Sequence, residues 1–188
     1  IAKTDAGKGH WLIGFDGLLH AAIKDNTAMF TNHAAAAPSD AMFTTQLALL
    51  GKYSVRQNEV VHVMDPFTYI KCLGITQVRT VDLFGPQATI LTGQLGSHGG
   101  IPIVVSGKML KAAADGLVTD GTAGTLGRVL TVNTTQWRVG FRRPLTVEVV
   151  PEPLKDQTSI KMSLRMALVQ RATLASQTHT AVTYNILV

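Results

Sequence analysis

The chain has one cysteine, two tryptophans and only 12 acidic residues among 188. A lone thiol, Cys72, excludes an intrachain disulfide and any paired-cysteine metal motif. It sits in an apolar helical stretch, where a thiol packs as a small inert hydrophobe and not as a nucleophile. Charge is scarce: Asp, Glu, Lys and Arg make up 15% of the residues, against about a quarter in an ordinary globular domain. So thin a polar coat predicts that other chains cover part of the surface. No apolar run reaches the length of a bilayer span, so no membrane partner is expected. Nor does a secretory leader pattern open the sequence. The first residue is Ile1 and not Met, which gives the expectation of a portion of a longer protein.

Basic runs are lacking as well. The net charge of +5 is spread along the chain. The tightest groups are Arg138, Arg142 and Arg143, then Lys161, Arg165 and Arg171. Neither is the unbroken basic run of a nucleic-acid arm, so a solvated or partner-paired face is the reading of both. What the chain does have is apolar material, 46% of residues with a mean hydropathy of +0.20. That suffices for one substantial core or two small ones.

The pattern predicts a loose Gly-rich lead-in over residues 1–12 and a helical stretch at Gly17–Lys24. A further helix is capped by Ser39 or Asp40, carries Phe43, Leu47 and Leu50 on one face, and is stopped by Gly51. A buried strand follows at Val60–Met64. Asp65-Pro66 then starts a helix (FTYIKCL), with Asp as cap and Pro in the first turn where no N–H is needed. Residues 75–91 read as β with turns, and Gly93–Gly100 (GQLGSHGG) as a loop. Ile101–Val105 reads as a buried strand, and Ser106 opens a short helix through Met109, Leu110 and Ala113. Strands are expected at Arg128–Val132, Gln136–Phe141, Leu145–Val150 and Thr180–Val188. Ile160, Met162, Leu164, Met166 and Leu168 fall at strict period two, which makes a long strand with one buried face.

Motifs for chemistry fail on inspection. AGKGH has neither the spacing nor the preceding strand of a phosphate loop. GQLGSHGG does not fit a dinucleotide fingerprint and leads into a strand. No nucleophile elbow surrounds Ser54, Ser97 or Ser106. The six histidines (His10, His20, His33, His62, His98 and His179) lack metal-ligand spacing, and no carboxylates form an acid/base pair. Trp11 and Trp137 are too far apart for a base-stacking platform.

Three segments in order resemble one family. VVHVMDPFTYIKCL (Val60–Leu73) is similar to an apolar strand, Met-x-Pro and helix entry. GQLGSHGGIPIVVSGKM (Gly93–Met109) is similar to a loop, Gly-x-Pro apolar strand, Ser and small helix segment. Gln136–Leu187 resembles an ending made of a strand, a basic turn, an acidic loop and a long Arg-bearing strand. The family is that of tailed-phage major capsid proteins, whose fold is shared with encapsulins and the herpesvirus capsid floor. The resemblance implies an α+β fold: a lead-in at 1–13, a mixed α/β axial-type domain at 14–127, and long antiparallel strands of a peripheral-type domain at 128–188. The N-terminal arm, extended loop and spine helix would lie upstream.

The resemblance further implies a structural, non-enzymatic subunit of a phage or prophage capsid, located in the virion and assembled in the bacterial cytoplasm. It would associate with copies of itself into hexamers and pentamers, touch packaged DNA weakly and without base preference, and use no cofactor, metal or small-molecule substrate. Candidate interface charges are Arg142, Arg143, Glu148, Glu152, Lys155, Asp156, Arg165 and Arg171. Some relatives cross-link a lysine of the extended loop to an asparagine of the peripheral-type domain; cross-linking is not expected here, because that loop would lie upstream and the segment for such an asparagine reads Asp156-Gln157-Thr158-Ser159. Two other readings stay open: an encapsulin-type shell, and a soluble hydrolase with a dispersed site.

Overall fold

A computed structural model of the chain describes residues 17–118, 124–152, 157–171 and 176–188. The lead-in expected at 1–13 lies outside them, as does part of residues 115–127, where the Gly- and Thr-rich run DGLVTDGTAGTLG predicts a loop. In chain order the elements are α1 (Leu18–His20), continued by a π-turn at Ala21–Asp25, then β1 (Phe30–Ala36), α2 (Asp40–Leu50), β2 (Val60–Met64) and α3 (Pro66–Cys72). They are followed by α4 (Thr76–Arg79), α5 (Val81–Phe84), α6 (Thr89–Thr92), β3 (Ser97–His98) and β4 (Ile101–Val105). The last four strands are β5 (Gly127–Asn133), β6 (Trp137–Glu152), β7 (Gln157–Gln170) and β8 (Thr180–Ile186).

Local chemistry explains the strongest boundaries. The Asp65 carboxylate accepts from the backbone N–H of Phe67 at 2.9 Å and of Thr68 at 3.0 Å, while Pro66 occupies the first turn. Two of the orphan donors at the start of α3 are thereby satisfied. Gly51 ends α2 with φ +53, a conformation that a Cβ would strain.

Six strands form one mixed sheet in the order β1-β8-β5-β2-β4-β3. β2 and β5 are antiparallel, with His62 opposite Thr131. β5 and β8 are antiparallel, with Leu130 opposite Val182. β1 joins β8 in parallel, and β4 joins β2 in parallel. All seven residues of β5 are buried, so both faces of the sheet are covered at its centre. Leu130 packs with Ala22, Met29, Leu50 and Val182 in one apolar cluster. Its neighbour Val129 packs with Met42, Phe43, Met64 and Cys72 in the other.

The structure corrects several expectations. Residues 75–91 form three short helices in place of β structure. Ile75 and Val78, three apart, point inward, and breaks fall at Thr80 and at Gly85 with φ +65. The stretch after Ser106 makes a turn, closed by Met109 N–H to Ser106 C=O at 3.1 Å, and does not continue as a helix. In β4 only Ile101 is fully buried. Val104 and Val105 remain exposed, because beside β2 they have only the two-residue β3 as a further neighbour, and it pairs with Ile101 and Pro102 alone. The two strands expected at Gln136–Phe141 and Leu145–Val150 are one continuous strand, β6. The sheet also crosses the division expected after residue 127, since β5 and β8 pair with β2 and β1. What stands apart is a separate two-stranded ribbon of β6 and β7.

Candidate interaction surface

β6 and β7, of 16 and 14 residues, form a two-stranded sheet in which each is the other's strand partner. At the usual rise per residue the ribbon is about 50 Å long. It is tied to the sheet lobe at its root. The Trp137 indole N–H donates to Thr180 Oγ1 at 3.0 Å, and Arg171 N–H donates to the Gln136 carbonyl at 2.9 Å. The Gln170 amide donates to the Asp25 carboxylate at 3.2 Å.

Residues directly opposite in an antiparallel pair share a face. Val139↔Leu168, Phe141↔Met166, Val147↔Met162 and Val149↔Ile160 are such pairs, and Leu164 follows on the same side by alternation. One face is therefore apolar from root to tip. The other carries Arg138, Arg143↔Arg165, Thr146↔Ser163 and Glu148↔Lys161.

Two irregularities in β6, between Phe141 and Arg143 and between Arg143 and Thr146, keep this separation. By simple alternation Arg143 would fall among the apolar side chains, with Phe141 before it and Leu145 after. Each bulge sets two β6 residues against one on β7 and so reverses the facing. The first turns Arg143 to the polar side opposite Arg165, and the second restores Val147 and Val149 to the apolar side.

The expectation that this apolar face is buried is corrected. Val139, Phe141, Val147, Val149, Ile160, Met162, Leu164 and Met166 are each between 39% and 68% exposed. The alternation reports a face that excludes water; it does not say whose atoms cover it. Eight side chains of this size offer more apolar area than the ~300–600 Å² that forms the largest patch on a typical monomer. A two-stranded ribbon is also only marginally stable by itself in water. These residues were missed as a surface because the sequence pattern of a covered face is the same whether the cover comes from within the chain or from outside it.

Of the eight candidate charges, Arg142, Arg143, Glu148 and Arg165 stand exposed on the ribbon, and Arg171 is exposed at its root. Glu152 ends β6 opposite Gln157, while Lys155 and Asp156 lie outside the described residues. Glu148 forms an ion pair with Lys161 at 3.5 Å. Arg143 and Arg165 face each other as like charges, and no anionic partner for either occurs among the described residues. Like charges directly opposite weaken a strand pair unless an anion is brought to them.

A few titratable groups of the sheet lobe, His62, His98 and Cys72 among them, are enclosed. His62 is fully buried, with its Nδ1 at 2.8 Å from Thr131 Oγ1. Thr131 gives its only hydroxyl proton to Gln46 Oε1, so it accepts from His62 Nδ1–H. Nε2 is left unprotonated and without a partner. Burial, assisted by the neighbouring His98, pushes the His62 pKa down to about 3. His98 is itself lowered by burial, against the Asp40 carboxylate 3.0 Å from its Nε2. Burial, with help from Asp65, raises the Cys72 thiol to about 12. No three metal-ligating side chains converge among the described residues, and no described helix is long and apolar enough to cross a membrane.

No family model and no curated protein matches the chain. Solved structures do resemble it. A chain from Mycobacterium phage Che8 superposes with a TM-score of 0.59 at 16% identity, over 88% of this chain and 56% of that one. A chain of the bacteriophage PhiM1 mature capsid gives 0.59 at 13% identity, over 82% and 50%. A chain of the capsid of cyanophage P-SCSP1u gives 0.53 at 14% identity, over 98% and 69%. The chain thus has the α+β fold of these phage structures and spans about half the length of the first two.

Proposed function

We propose that the chain is a structural subunit of a phage-type capsid shell, and that it works by contact with copies of itself and not by catalysis. The observation that carries this reading is the open apolar face of the β6–β7 ribbon, on a chain whose fold is that of capsid proteins. A shell subunit must close rings through non-identical edges, and its energy comes from buried interfaces with charged rims. A standard interface buries about 800 Å² per partner, the scale of area that the ribbon's apolar face leaves open. On this reading hexamers and pentamers enclose double-stranded DNA, with assembly in the bacterial cytoplasm. Arg142, Arg143, Arg165 and Arg171 meet carboxylates of neighbouring copies at the rim, and Glu152, Lys155 and Asp156 meet groups of opposite sign. Contact with packaged DNA is weak, salt-sensitive and independent of sequence. The axial-type lobe is the six-stranded sheet with its helices, and the ribbon belongs to the peripheral-type domain.

Negative-stain microscopy of the chain expressed within its natural polypeptide tests the proposal. Closed shells or rings are expected. A monodisperse monomer that turns over ester or phosphoester substrates would overturn it, and shells filled with a cargo enzyme in place of DNA would redirect it to an encapsulin-type compartment.

A further inference from the structure

Arg128 and Leu130 stand two apart on β5 and share a face, and Val63 of β2 lies opposite Leu130. On that face a cavity of about 490 Å³ is walled by Leu18, Leu19, Ile23, Val63, Met109 and Leu130. Arg128 and Lys108 also line it, and among the described residues no carboxylate does. The volume falls in the range of small-molecule sites, roughly 300–1,000 Å³.

Arg128 is held firmly at this wall. It is 4% exposed, and its guanidinium donates to the Leu110 carbonyl at 2.6 Å and to the Gly116 carbonyl at 3.3 Å. Gly116 has φ +77 and packs so closely on Phe30 and Tyr184 that a Cβ would not fit. The segment that carries both carbonyls is tied to the start of β5, since Ala112 N–H donates to Leu126 C=O at 2.8 Å. These bonds use two of the five guanidinium N–H groups. Nε is buried without a partner, and among the described residues no carboxylate forms an ion pair with the guanidinium. Asp65 accepts from the Arg128 backbone N–H, at 3.5 Å, and not from its side chain. A buried cation with donors to spare, beside six apolar side chains, suits a ligand with one anionic end and one apolar end. A carboxylate matches the planar guanidinium with two acceptor oxygens. A phosphate or nucleotide would set much of its charge against leucine and methionine walls.

We propose that this cavity is a binding site for an unbranched aliphatic carboxylate, a ligand of the fatty-acid class. The carboxylate meets the Arg128 guanidinium, with the exposed Lys108 adding a second positive charge. The chain lies along Leu18, Leu19, Ile23 and Leu130, and so joins the first helix to the central strands. The inference stands apart from the shell reading, because the cavity lies within the sheet lobe of one subunit and away from the ribbon.

Isothermal titration calorimetry of the chain within its natural polypeptide tests this, with hexanoate, octanoate and decanoate below their micellar concentrations. Saturable binding of one ligand per chain is expected, tightening about fourfold for each added methylene. Decanol, which has the tail without the charge, should bind at least tenfold more weakly than decanoate. Leu19→Asp sets a carboxylate on the wall and should weaken decanoate at least tenfold while far-UV circular dichroism stays native. Lys108→Glu, a change at an exposed position, should weaken it several-fold. Decanoate should also raise Tm, because it binds the folded chain. The absence of saturable binding overturns the proposal, and so does decanol binding as tightly as decanoate. Affinity unchanged in both variants overturns it as well, as does a fall in Tm, which would mark binding to the unfolded chain.

Discussion

His62 makes the stability of the sheet lobe depend on pH in a way that can be calculated. Its ring is sealed between Thr131 and Phe43, whose ring centroid is 5.0 Å away, and a proton added at Nε2 finds no acceptor. The titratable groups near it are His98, whose ring stacks on Phe43 with centroids 4.2 Å apart, and Asp40, which pairs with His98. The folded-state pKa of about 3 lies below the ordinary 6.5. The unfolded chain therefore binds the proton first as pH falls. Stability from the neutral ring is complete above the ordinary histidine value and drains away as pH falls toward the folded value. Between about pH 7 and about pH 5 the loss is about 2 kcal/mol. Urea unfolding at the two pH values, followed by circular dichroism, measures it. His62→Gln keeps a donor for Thr131 but cannot titrate. It should be less stable than the parent at neutral pH, and its loss on acidification should be smaller by that same ~2 kcal/mol. His98 and His179, also lowered by burial, remain in both proteins and cancel in the comparison. An identical acid dependence in parent and variant would refute the reasoning.

Three further outcomes are expected. Asp65→Ala removes the cap of α3 and the carboxylate beside Arg128, and should lower stability by about 2 kcal/mol or more in a urea titration. Gly127→Ala places a Cβ 2.0 Å from Thr68 Oγ1 and 2.6 Å from Val188 Cγ1, and overpacking of this kind should lower stability by about 1–3 kcal/mol in the same assay. Cys72, buried and with its thiol raised to about 12, should resist a thiol-specific disulfide reagent at neutral pH and react at once in denaturant.

Local rules made parts of this fold readable. Asp65-Pro66 states a helix start in two residues, and the structure makes the bonds that the pair implies. The alternation from Ile160 to Leu168 states a strand, and β7 is that strand. The short helices between Ile75 and Leu91 were opaque, because four residues complete barely one turn and show no period. The place of β5 and β8 in the sheet beside β2 and β1 was equally opaque, since it is set by pairings across most of the chain. So was the buried chain Gln46–Thr131–His62, whose members are polar residues scattered through ordinary segments.

At the ribbon, the legible and the illegible meet in one strand. Arg142, Arg143 and Arg165 could be picked out as surface charges, and they are exposed. The bulges that turn Arg143 toward Arg165 were signalled only by a cation interrupting Trp137, Val139, Phe141, Leu145, Val147 and Val149. Periodicity gave the apolar face but not its exposure, since a hydrophobic pattern carries no information about which molecule supplies the cover.

Sedimentation velocity of the protein in its natural polypeptide, with and without the paired substitution Val149→Lys and Met162→Lys, tests the account most directly. Both positions lie opposite their partners on the exposed apolar face, so the sheet lobe should keep its circular dichroism and melting transition. The account predicts large assemblies for the parent and small, non-associating species for the variant. Assemblies of equal size from both proteins would contradict it.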